Sequence, residues 1–371
     1  MARLRKLISL TEDRRRPITL DRVPVETLRG WDSGRTPLPR IWLLMEVEAD
    51  GAMIYAFTED GYFAGDGSYA DEAHARESAG YEWVWTPAYE WIELGANEDA
   101  HEVAGRLFAA ERDRKLIECR NVTVYRGEKK ALDGLTLDIR EGEHVAIIGP
   151  NGCGKTTFVR TISRDFYPFV GDENWTLEIM GRRNWHVLDL RSMLGIVNNA
   201  LVASCTCAFP AREIVMSGFF SSVGVWPHHE VMPGMDEIVD RVMDQLEISH
   251  LAQRPTAELS SGEAHRVVIA RALVNGPRAL IFDEPSTSLD LRAAHELRET
   301  MRRLARLGKT IVLVTHDLPD LFPEIERVIL MKQGRVFRDG STRDTLTSAN
   351  LTELFGVPVE VAERDGFYNV W

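Results

Sequence analysis

The sequence predicts an α/β fold, because short apolar runs of strand length alternate with segments of helical period. Residues 143–148 have the composition of a buried strand, and apolar residues follow at helical spacing over 158–162. Two further apolar runs of strand length occur at 279–282 and 311–314. An α/β domain over residues 116–371, with a helical subdomain at about 200–258, accounts for this pattern.

Residues 1–112 differ in character and predict a separate, small α+β domain. Five of the nine tryptophans lie there, which is enough aromatic surface for a core of its own. The predicted elements, in order, are a strand at 40–47, a turn at 49–51, a strand at 53–57, a helix at 70–79 and a third strand at 81–91. A last helix is expected to start at Asn97 or Asp99 and to run to about Lys115.

The composition is that of an ordinary soluble protein, with 44% hydrophobic and 27% charged residues among 371. The longest apolar runs are far shorter than a membrane span, and no apolar signal segment opens the chain. We therefore expect a cytoplasmic protein, reaching the inner face of a membrane only through a partner. The net charge of −13 argues against a nucleic-acid-binding surface, and Arg14 to Arg16 read as a solvated segment.

The most informative segment is Gly149 to Thr157, which fits the phosphate-binding pattern G-x-x-x-x-G-K-[ST] between a strand and a helix. Its glycines let backbone N–H groups turn towards phosphate oxygens, and the helix N-terminus adds positive potential. Lys155 is expected to reach the β- and γ-phosphates, and Thr156 to hold Mg²⁺. The predicted nucleotide contacts within the loop are Gly149, Pro150, Asn151, Gly152, Cys153, Gly154, Lys155, Thr156 and Thr157.

A second set of polar residues follows other predicted elements. Ser260 and Gly262 stand at a helix N-terminus, which favours an anion. Asp283 ends the strand at 279–282, where its carboxylate can reach the same Mg²⁺. Glu284 is placed to polarise an attacking water, and His316 to contact the γ-phosphate. Taken alone, His316 is more often a capping or core histidine.

Tyr125 lies on a predicted hairpin that precedes the phosphate-binding segment. The hairpin can bring its ring onto adenine, although a partly buried strand tyrosine fits the local pattern equally well. Four cysteines (Cys119, Cys153, Cys205, Cys207) have no zinc-ligand spacing and are interpreted as reduced thiols. His228 and His229 have no further ligand nearby and are interpreted as an exposed loop pair.

Residues 116–371 resemble the nucleotide-binding domain of the ATP-binding cassette (ABC) superfamily. Five motifs carry the resemblance: Walker A at 149–156, the signature at 259–263, Walker B at 279–283 followed by Glu284, the D-loop at 288–290, and the switch histidine His316. The resemblance implies ATP and Mg²⁺ as ligands, ATP hydrolysis as the activity, and nucleotide contacts from Glu263 and Asp290. It also favours the stacking role of Tyr125.

Two departures from the superfamily pattern stand out. Asn199 stands where the family has a glutamine that contacts Mg²⁺ and moves with a transmembrane partner, so the resemblance implies Asn199 as a metal contact beside Thr156 and Asp283. Asparagine is one methylene shorter than glutamine. The signature reads Leu-Ser-Ser-Gly-Glu, so that Ser261 and Glu263 replace glycine and glutamine. The segment at 215–224 and the ending at 346–371 are similar to a molybdate-importer-like subgroup of these ATPases.

The family mechanism implies a head-to-tail homodimer in which Walker A of one chain and the signature of the other enclose ATP. Two functional interpretations stay open: the ATPase subunit of a transporter, docking on a permease through the region 219–226, and a soluble ATPase acting on a protein or nucleic-acid partner. A sensor that binds ATP without turnover is disfavoured by Glu284 and His316. Cys153 stands near a helix N-terminus, where we expect a lowered thiol pKa and a reaction with thiol reagents that ATP blocks.

Overall fold

The computed structural model describes residues 5–12, 40–48, 51–58, 63–70, 73, 75, 92–93, 103, 114–171, 174–232, 234–287 and 289–371. The chain divides into two compact units. One comprises residues 1–113 with 306–308, and the other comprises residues 114–305 with 309–371.

The N-terminal unit contains a five-stranded antiparallel sheet in the order β4-β3-β2-β1-β5. Its strands are β1 (Arg5–Glu12), β2 (Arg40–Glu48), β3 (Gly51–Thr58), β4 (Phe63–Tyr69) and β5 (Ile92–Glu93). Alternate residues of its central strands, among them Leu43, Met45 and Ile54, are fully buried, which is the pattern of a sheet with one face on a core.

The predicted strands at 40–47 and 53–57 are confirmed as β2 and β3, whereas β1 and β4 were not expected. The predicted turn residues 49–50, most of the helix at 70–79 and the strand at 81–91 lie outside the described residues, apart from 70, 73 and 75. The last predicted helix is wrong at its end, because Lys115 already begins a strand whose next residues, Leu116 and Ile117, are fully buried.

The second unit opens with the predicted hairpin. Strands β6 (Lys115–Arg126) and β7 (Lys129–Arg140) pair antiparallel, and β9 (Thr176–Ile179) joins the free edge of β6. Gly127, in the turn, has φ 61°, a left-handed conformation that glycine adopts without strain. The hairpin places Tyr125 at the end of β6, beside the turn.

The core of this unit is a six-stranded mixed sheet in the order β10-β11-β12-β8-β13-β14. Its strands are β8 (His144–Ile148), β10 (Leu194–Asn198), β11 (Ala279–Asp283), β12 (Thr310–Thr315), β13 (Arg327–Lys332) and β14 (Arg335–Ser341). All pairs are parallel except the one between β13 and β14. Strands β11 and β12 are buried along their whole length, as central strands of a sheet covered on both faces must be.

Nine helices connect and cover these strands within the described part of the second unit. They are α1 (Lys155–Ile162), α2 (Val187–Met193), α3 (Asn199–Cys205), α4 (Ala211–Met216), α5 (Met235–Gln245), α6 (Ser261–Leu273), α7 (Leu291–Arg306), α8 (Thr342–Thr345) and α9 (Ser348–Phe355). Helices α3 to α5 lie in the predicted helical region. A final hairpin, β15 (Val361–Arg364) and β16 (Phe367–Val370), ends the chain. Among the described helices, none combines the length and apolar character needed to cross a membrane.

The parallel strands bring the predicted site residues to one edge of the sheet. Asp283 at the end of β11 pairs in register with Val314 of β12, and Ile148 at the end of β8 pairs with Thr315. The carboxyl ends of these three strands therefore meet at one edge of the sheet, where the phosphate-binding loop also begins.

Candidate functional site

The loop between β8 and α1 is packed so tightly at Gly149 and Gly154 that neither position can carry a side chain. Gly154 has φ 114°, and a Cβ there would lie 2.5 Å from the carbonyl oxygen of Ala131. A Cβ on Gly149 would lie 2.3 Å from the carbonyl oxygen of Met331. Both contacts are far shorter than van der Waals distance, so the loop keeps a bare backbone whose N–H groups can line an anion site.

Lys155 begins α1 and is 5% exposed. Its Nζ atom donates to the carbonyl oxygen of Gly149 at 2.7 Å and lies 3.3 Å from a carboxylate oxygen of Glu284. A buried ammonium group held by a backbone carbonyl and a carboxylate can exchange these oxygens for phosphate oxygens. The fold thus brings Lys155 and Glu284 together although 129 residues separate them in the sequence.

Thr156 and Asp283 form the second contact of the site. The Thr156 hydroxyl donates to a carboxylate oxygen of Asp283 at 3.4 Å. Burial, and next the neighbouring charge of Glu284, raise the pKa of Asp283 from its usual 3.8 to about 6. A cation beside this carboxylate would reverse that shift.

The donor set at this position fits Mg²⁺. A hydroxyl and one carboxylate leave room for the phosphates and waters that Mg²⁺ keeps in nucleotide sites. No cluster of three or more His, Cys, Asp or Glu suited to a metal ion occurs among the described residues.

Glu284 directly follows β11 and has a left-handed backbone conformation, with φ 54°. A non-glycine residue in this region carries a conformational cost that functional sites often store. One carboxylate oxygen pairs with Lys155 and the other with Nδ1 of His316. Glu284 therefore contacts both of the other predicted catalytic residues, Lys155 and His316.

Asn199 lies directly after the end of strand β10, and its side chain points to protein groups. Strand β10 ends at Asn198, whose side chain caps α3 by accepting from Leu201 N at 2.8 Å. Asn199 is the first residue of α3, and its Nδ2 atom donates to the carbonyl oxygen of Glu284 at 2.9 Å. Its Oδ1 atom faces Nε2 of His265 at 3.3 Å.

His265 belongs to this site although the sequence analysis missed it. It is 4% exposed in α6, and its Nδ1 atom lies 2.8 Å from the carbonyl oxygen of Ser261. Burial lowers the pKa of His265, against hydrogen bonds to the backbones of Ser261 and Pro285 that raise it. The only signal in the sequence was a histidine three residues after Gly262, inside an otherwise apolar helical pattern.

The signature segment forms the N-terminus of α6 as predicted, with Ser260 as its N-cap. Glu263 accepts from the backbone N–H and from the hydroxyl of Ser260, both at 2.8 Å, which makes a capping box. A Cβ on Gly262 would lie 3.4 Å from Ala293 Cβ, which is an ordinary van der Waals contact. The Glu263 carboxylate thus takes part in capping the N-terminus of α6.

The D-loop lies next to α7. Asp290 Oδ1 accepts from the backbone N–H of Ala293 at 2.7 Å, so Asp290 caps α7. Ser288, the first predicted D-loop residue, lies outside the described residues.

Tyr125 is 41% exposed, and its ring lies edge-on to that of Phe169 with centroids 5.2 Å apart. Phe169, itself 55% exposed, was not predicted. Its backbone N–H donates to the carbonyl oxygen of Thr123 at 2.7 Å, which fixes the segment beside β6. An exposed pair of aromatic rings at this position can stack on a base.

Cys153 does not match its prediction. The side chain is buried, and burial raises the pKa of its thiol, although the charge of Lys155 and backbone hydrogen bonds lower it. The expected lowered pKa is therefore wrong, because packing under the loop outweighs the helix N-terminus. All four cysteines are free thiols. Of the predicted exposed pair, His228 is exposed, whereas His229 is partly buried because its ring stacks on Phe220.

Together, the strand, the glycine loop, the buried Lys155 and the Asp283–Glu284 pair define a P-loop nucleotide-binding ATPase. Comparison with known proteins narrows this class. A family model described as ABC transporter matches residues 132–287. The hemin import ATP-binding protein HmuV of Bradyrhizobium diazoefficiens is 32% identical over 259 residues, covering 68% of this chain and 92% of that protein. The spermidine/putrescine import ATP-binding protein PotA of Oleidesulfovibrio alaskensis is 33% identical over 250 residues, covering 63% of this chain and 60% of that protein.

Solved structures agree on the fold. An inward-facing putative metal-chelate type ABC transporter superposes with a TM-score of 0.56 at 23% identity, over 70% of this chain and 97% of its own. The structure of cbiO1 from Clostridium perfringens, part of the ABC transporter complex cbiONQ, superposes with a TM-score of 0.54 at 25% identity, over 65% of this chain and 94% of its own. The chain belongs to the family of ABC transporter ATP-binding proteins, whose members bind and hydrolyse ATP.

Proposed function

We propose that this ATPase works as a head-to-tail homodimer that closes around two Mg-ATP molecules. The observation that carries the proposal is that two complementary parts lie on different elements: the phosphate-binding loop lies between β8 and α1, whereas Ser260 and Gly262 lie at the N-terminus of α6. Leu291, directly after Asp290, is 92% exposed, which suits a surface that a second copy covers. In the dimer Ser260 and Gly262 act on the nucleotide of the partner.

Within each site, the chain's own residues do the positioning. Lys155 exchanges the carbonyl oxygen of Gly149 for the β- and γ-phosphates, and the loop N–H groups bind the remaining phosphate oxygens. Thr156 and Asp283 hold Mg²⁺, which supplies charge neutralisation on the phosphates when it is bound. Tyr125 stacks on adenine.

The Glu284 carboxylate, which pairs with Lys155 and His316, orients the attacking water. His316 holds that carboxylate and turns towards the γ-phosphate once ATP is present. Hydrolysis then proceeds by in-line attack with charge stabilisation rather than covalent catalysis, and the dimer reopens after it.

Light scattering of Glu284→Gln with Mg-ATP tests the dimer. Removal of the carboxylate stops turnover but leaves every phosphate contact in place, so we expect the variant to shift from monomer to dimer when Mg-ATP is added. Glu284→Gln with Mg-ADP is the matched control and should remain monomeric. A variant that stays monomeric with saturating Mg-ATP contradicts the proposal.

We further propose that the chain is the ATPase subunit of an importer and binds a permease at the inner face of the membrane. A groove of about 410 Å³ opens in the helical region, lined by Pro210, Arg212, Glu213, Met216, Val225 and Gln253. Trp226 and Met232 nearby in sequence are 46% and 51% exposed. Exposed apolar side chains beside a groove of mixed polar and apolar lining suit an amphipathic helix of a partner.

The names of the relatives, hemin import and spermidine/putrescine import ATP-binding proteins, support the importer class. The similarity to molybdate-importer-like ATPases remains a prediction. Tandem purification from membranes tests the permease: an integral membrane protein should copurify with the wild type and be lost in Val225→Glu, which places a charge in the groove. Equal recovery with both contradicts this docking surface.

The second candidate is an ABC ATPase that acts on a protein or nucleic-acid partner without a permease. One observation favours it: the Asn199 amide, at the position that responds to a transmembrane partner in the family, is tied to Glu284 and His265 within the chain. Full turnover without membranes, and no membrane protein in the purification, would support this candidate.

A further inference from the structure

We infer that Asn199 and His265 form a positioning pair that holds the backbone of Glu284, and that Asn199 is not a ligand of the metal. The inference rests on the proposed role of Glu284 and extends it to the two residues behind it.

The first step is the contact itself. The Asn199 amide nitrogen donates to the carbonyl oxygen of Glu284 at 2.9 Å, and its Oδ1 atom faces His265 Nε2 at 3.3 Å. Asn199 Oδ1 can only accept, so this second hydrogen bond forms in the tautomer of the neutral ring that carries its proton on Nε2. Both polar atoms of the asparagine are therefore engaged with protein groups.

The second step is what the contact holds. Glu284 has a left-handed backbone, which a glutamate adopts only under constraint from its surroundings. Its N–H donates to Val314 O at 2.8 Å, and its carbonyl oxygen accepts from Asn199. The two bonds clamp the peptide units on either side of Cα, so that the carboxylate is directed at Lys155 and His316.

The third step concerns the helix that carries the imidazole ring of His265. His265 lies in α6, the helix whose N-terminus carries Ser260 and Gly262. Its Nδ1 atom meets the carbonyl oxygen of Ser261 at 2.8 Å, inside the signature segment. The ring therefore lies between the signature segment and Asn199, and in its neutral form it donates to one of these two oxygens at a time.

The short side chain of Asn199 fits this role. Glutamine would place its amide one methylene further on, past the distance at which Asn199 spans His265 and the Glu284 carbonyl. The two residues are matched to each other, and neither touches Thr156 or Asp283 among the hydrogen bonds of the site.

Kinetics of Asn199→Ala, His265→Gln, His265→Leu and the double variant Asn199→Ala/His265→Leu test the inference, with His250→Gln as the matched histidine control on an exposed surface. We measure kcat, KM for ATP and the Mg²⁺ concentration at half-maximal rate. Thermal unfolding checks the fold of each variant.

Asn199→Ala and His265→Leu should each lower kcat about tenfold, the cost of about one positioned hydrogen bond, without changing KM or the Mg²⁺ requirement. The double variant should have about the same kcat as the more impaired of the two single variants, because both residues act through the same contact. His265→Gln retains an N–H donor, so its kcat should be much higher than that of His265→Leu. If His265 served only in packing, the two substitutions would lower kcat equally. His250→Gln should match the wild type.

Three results would overturn the inference: an unchanged kcat in Asn199→Ala, multiplicative losses in the double variant, or a raised Mg²⁺ requirement in Asn199→Ala alone. If His265→Leu does not fold, Asn199→Ala and His265→Gln still decide. Glu284→Gln, measured in parallel, separates the two proposals. If Glu284→Gln loses turnover while the Asn199 and His265 variants keep theirs, only the positioning pair is refuted. If Glu284→Gln keeps its turnover, the proposed role of Glu284 is refuted.

Discussion

The chemistry of the site depends on a few buried charged side chains. Lys155 and Asp283 are 5% and 6% exposed, and Glu284 lies between them. A charge is costly to bury unless it is paired, so each of these groups is held ready for a partner that arrives with the substrate. The contacts that the Lys155 ammonium group and the two carboxylates make with protein groups are therefore ones that ATP and Mg²⁺ can replace.

Asp283 gives a prediction at the scale of one residue. The pKa of Asp283 in the folded protein is about 6, against 3.8 in an unfolded chain, so the folded state retains the proton over this interval. The stabilising contribution is complete below pH 3.8 and is lost as the pH rises through 6. It amounts to about 3 kcal/mol. Without Mg²⁺ and nucleotide, Asp283→Asn should therefore unfold at a higher urea concentration than the wild type at pH 8.

The same urea titrations at pH 4.5 provide the comparison, because the wild-type carboxyl is then largely protonated and the two proteins should differ much less. Equal differences at both pH values would contradict the raised pKa.

Cys153 gives a second prediction at this scale. Its thiol is buried, and burial raises its pKa, so the reactive thiolate is scarce at neutral pH. Iodoacetamide should modify Cys153 more slowly than Cys207, which is only partly buried, as followed by mass spectrometry of the peptides. Modification of Cys153 at the same rate as Cys207 would show that the loop opens readily.

At the scale of elements, the helix N-termini carry the site, and the end of α6 can be tested separately. Glu263 accepts two hydrogen bonds from Ser260. Glu263→Ala should destabilise the protein by about 1 kcal/mol, which lowers Tm by about 2–4 °C in a domain of this size. Glu263→Gln, which keeps the accepting oxygen, should lie close to the wild type in the same thermal scan. An alanine variant as stable as the glutamine variant would contradict the capping box.

Elements with a local signature could be predicted from the sequence. The phosphate-binding loop, β8, β11 and β12 follow from apolar runs and glycine spacing, which act within a few residues. The meeting of Thr156 with Asp283 was also predictable, because the carboxyl ends of neighbouring parallel strands share one edge of the sheet.

Contacts between distant segments could not be predicted in this way. His265 meets Asn199 across 66 positions, and Phe169 meets Tyr125 only because its backbone is bonded to β6. The pKa of Cys153 depended on how closely the loop packs on Met331 and Ala131, which no local pattern gives. Lys115 was assigned to a helix because its preceding residues have helical composition, whereas burial in the hairpin sheet makes it a strand residue.

At the scale of the whole molecule, every residue of the proposed site lies in the unit that comprises 114–305 and 309–371. Its phosphate-binding loop, Ser260 and Gly262 make a complete site only when two copies combine as proposed. The domain boundary at 112–116 stays a prediction of the sequence, and expression of residues 114–371 alone would test whether this unit folds and binds ATP.

The most direct test of the account is the steady-state ATPase rate of the purified protein with Mg-ATP, wild type beside Glu284→Gln. The account predicts turnover in the wild type and a loss of at least about a hundredfold in the variant, the range expected for removal of a group that orients the nucleophile. Nucleotide binding should persist in both. A variant that hydrolyses ATP as fast as the wild type would contradict the assignment of Glu284 and the site built around it.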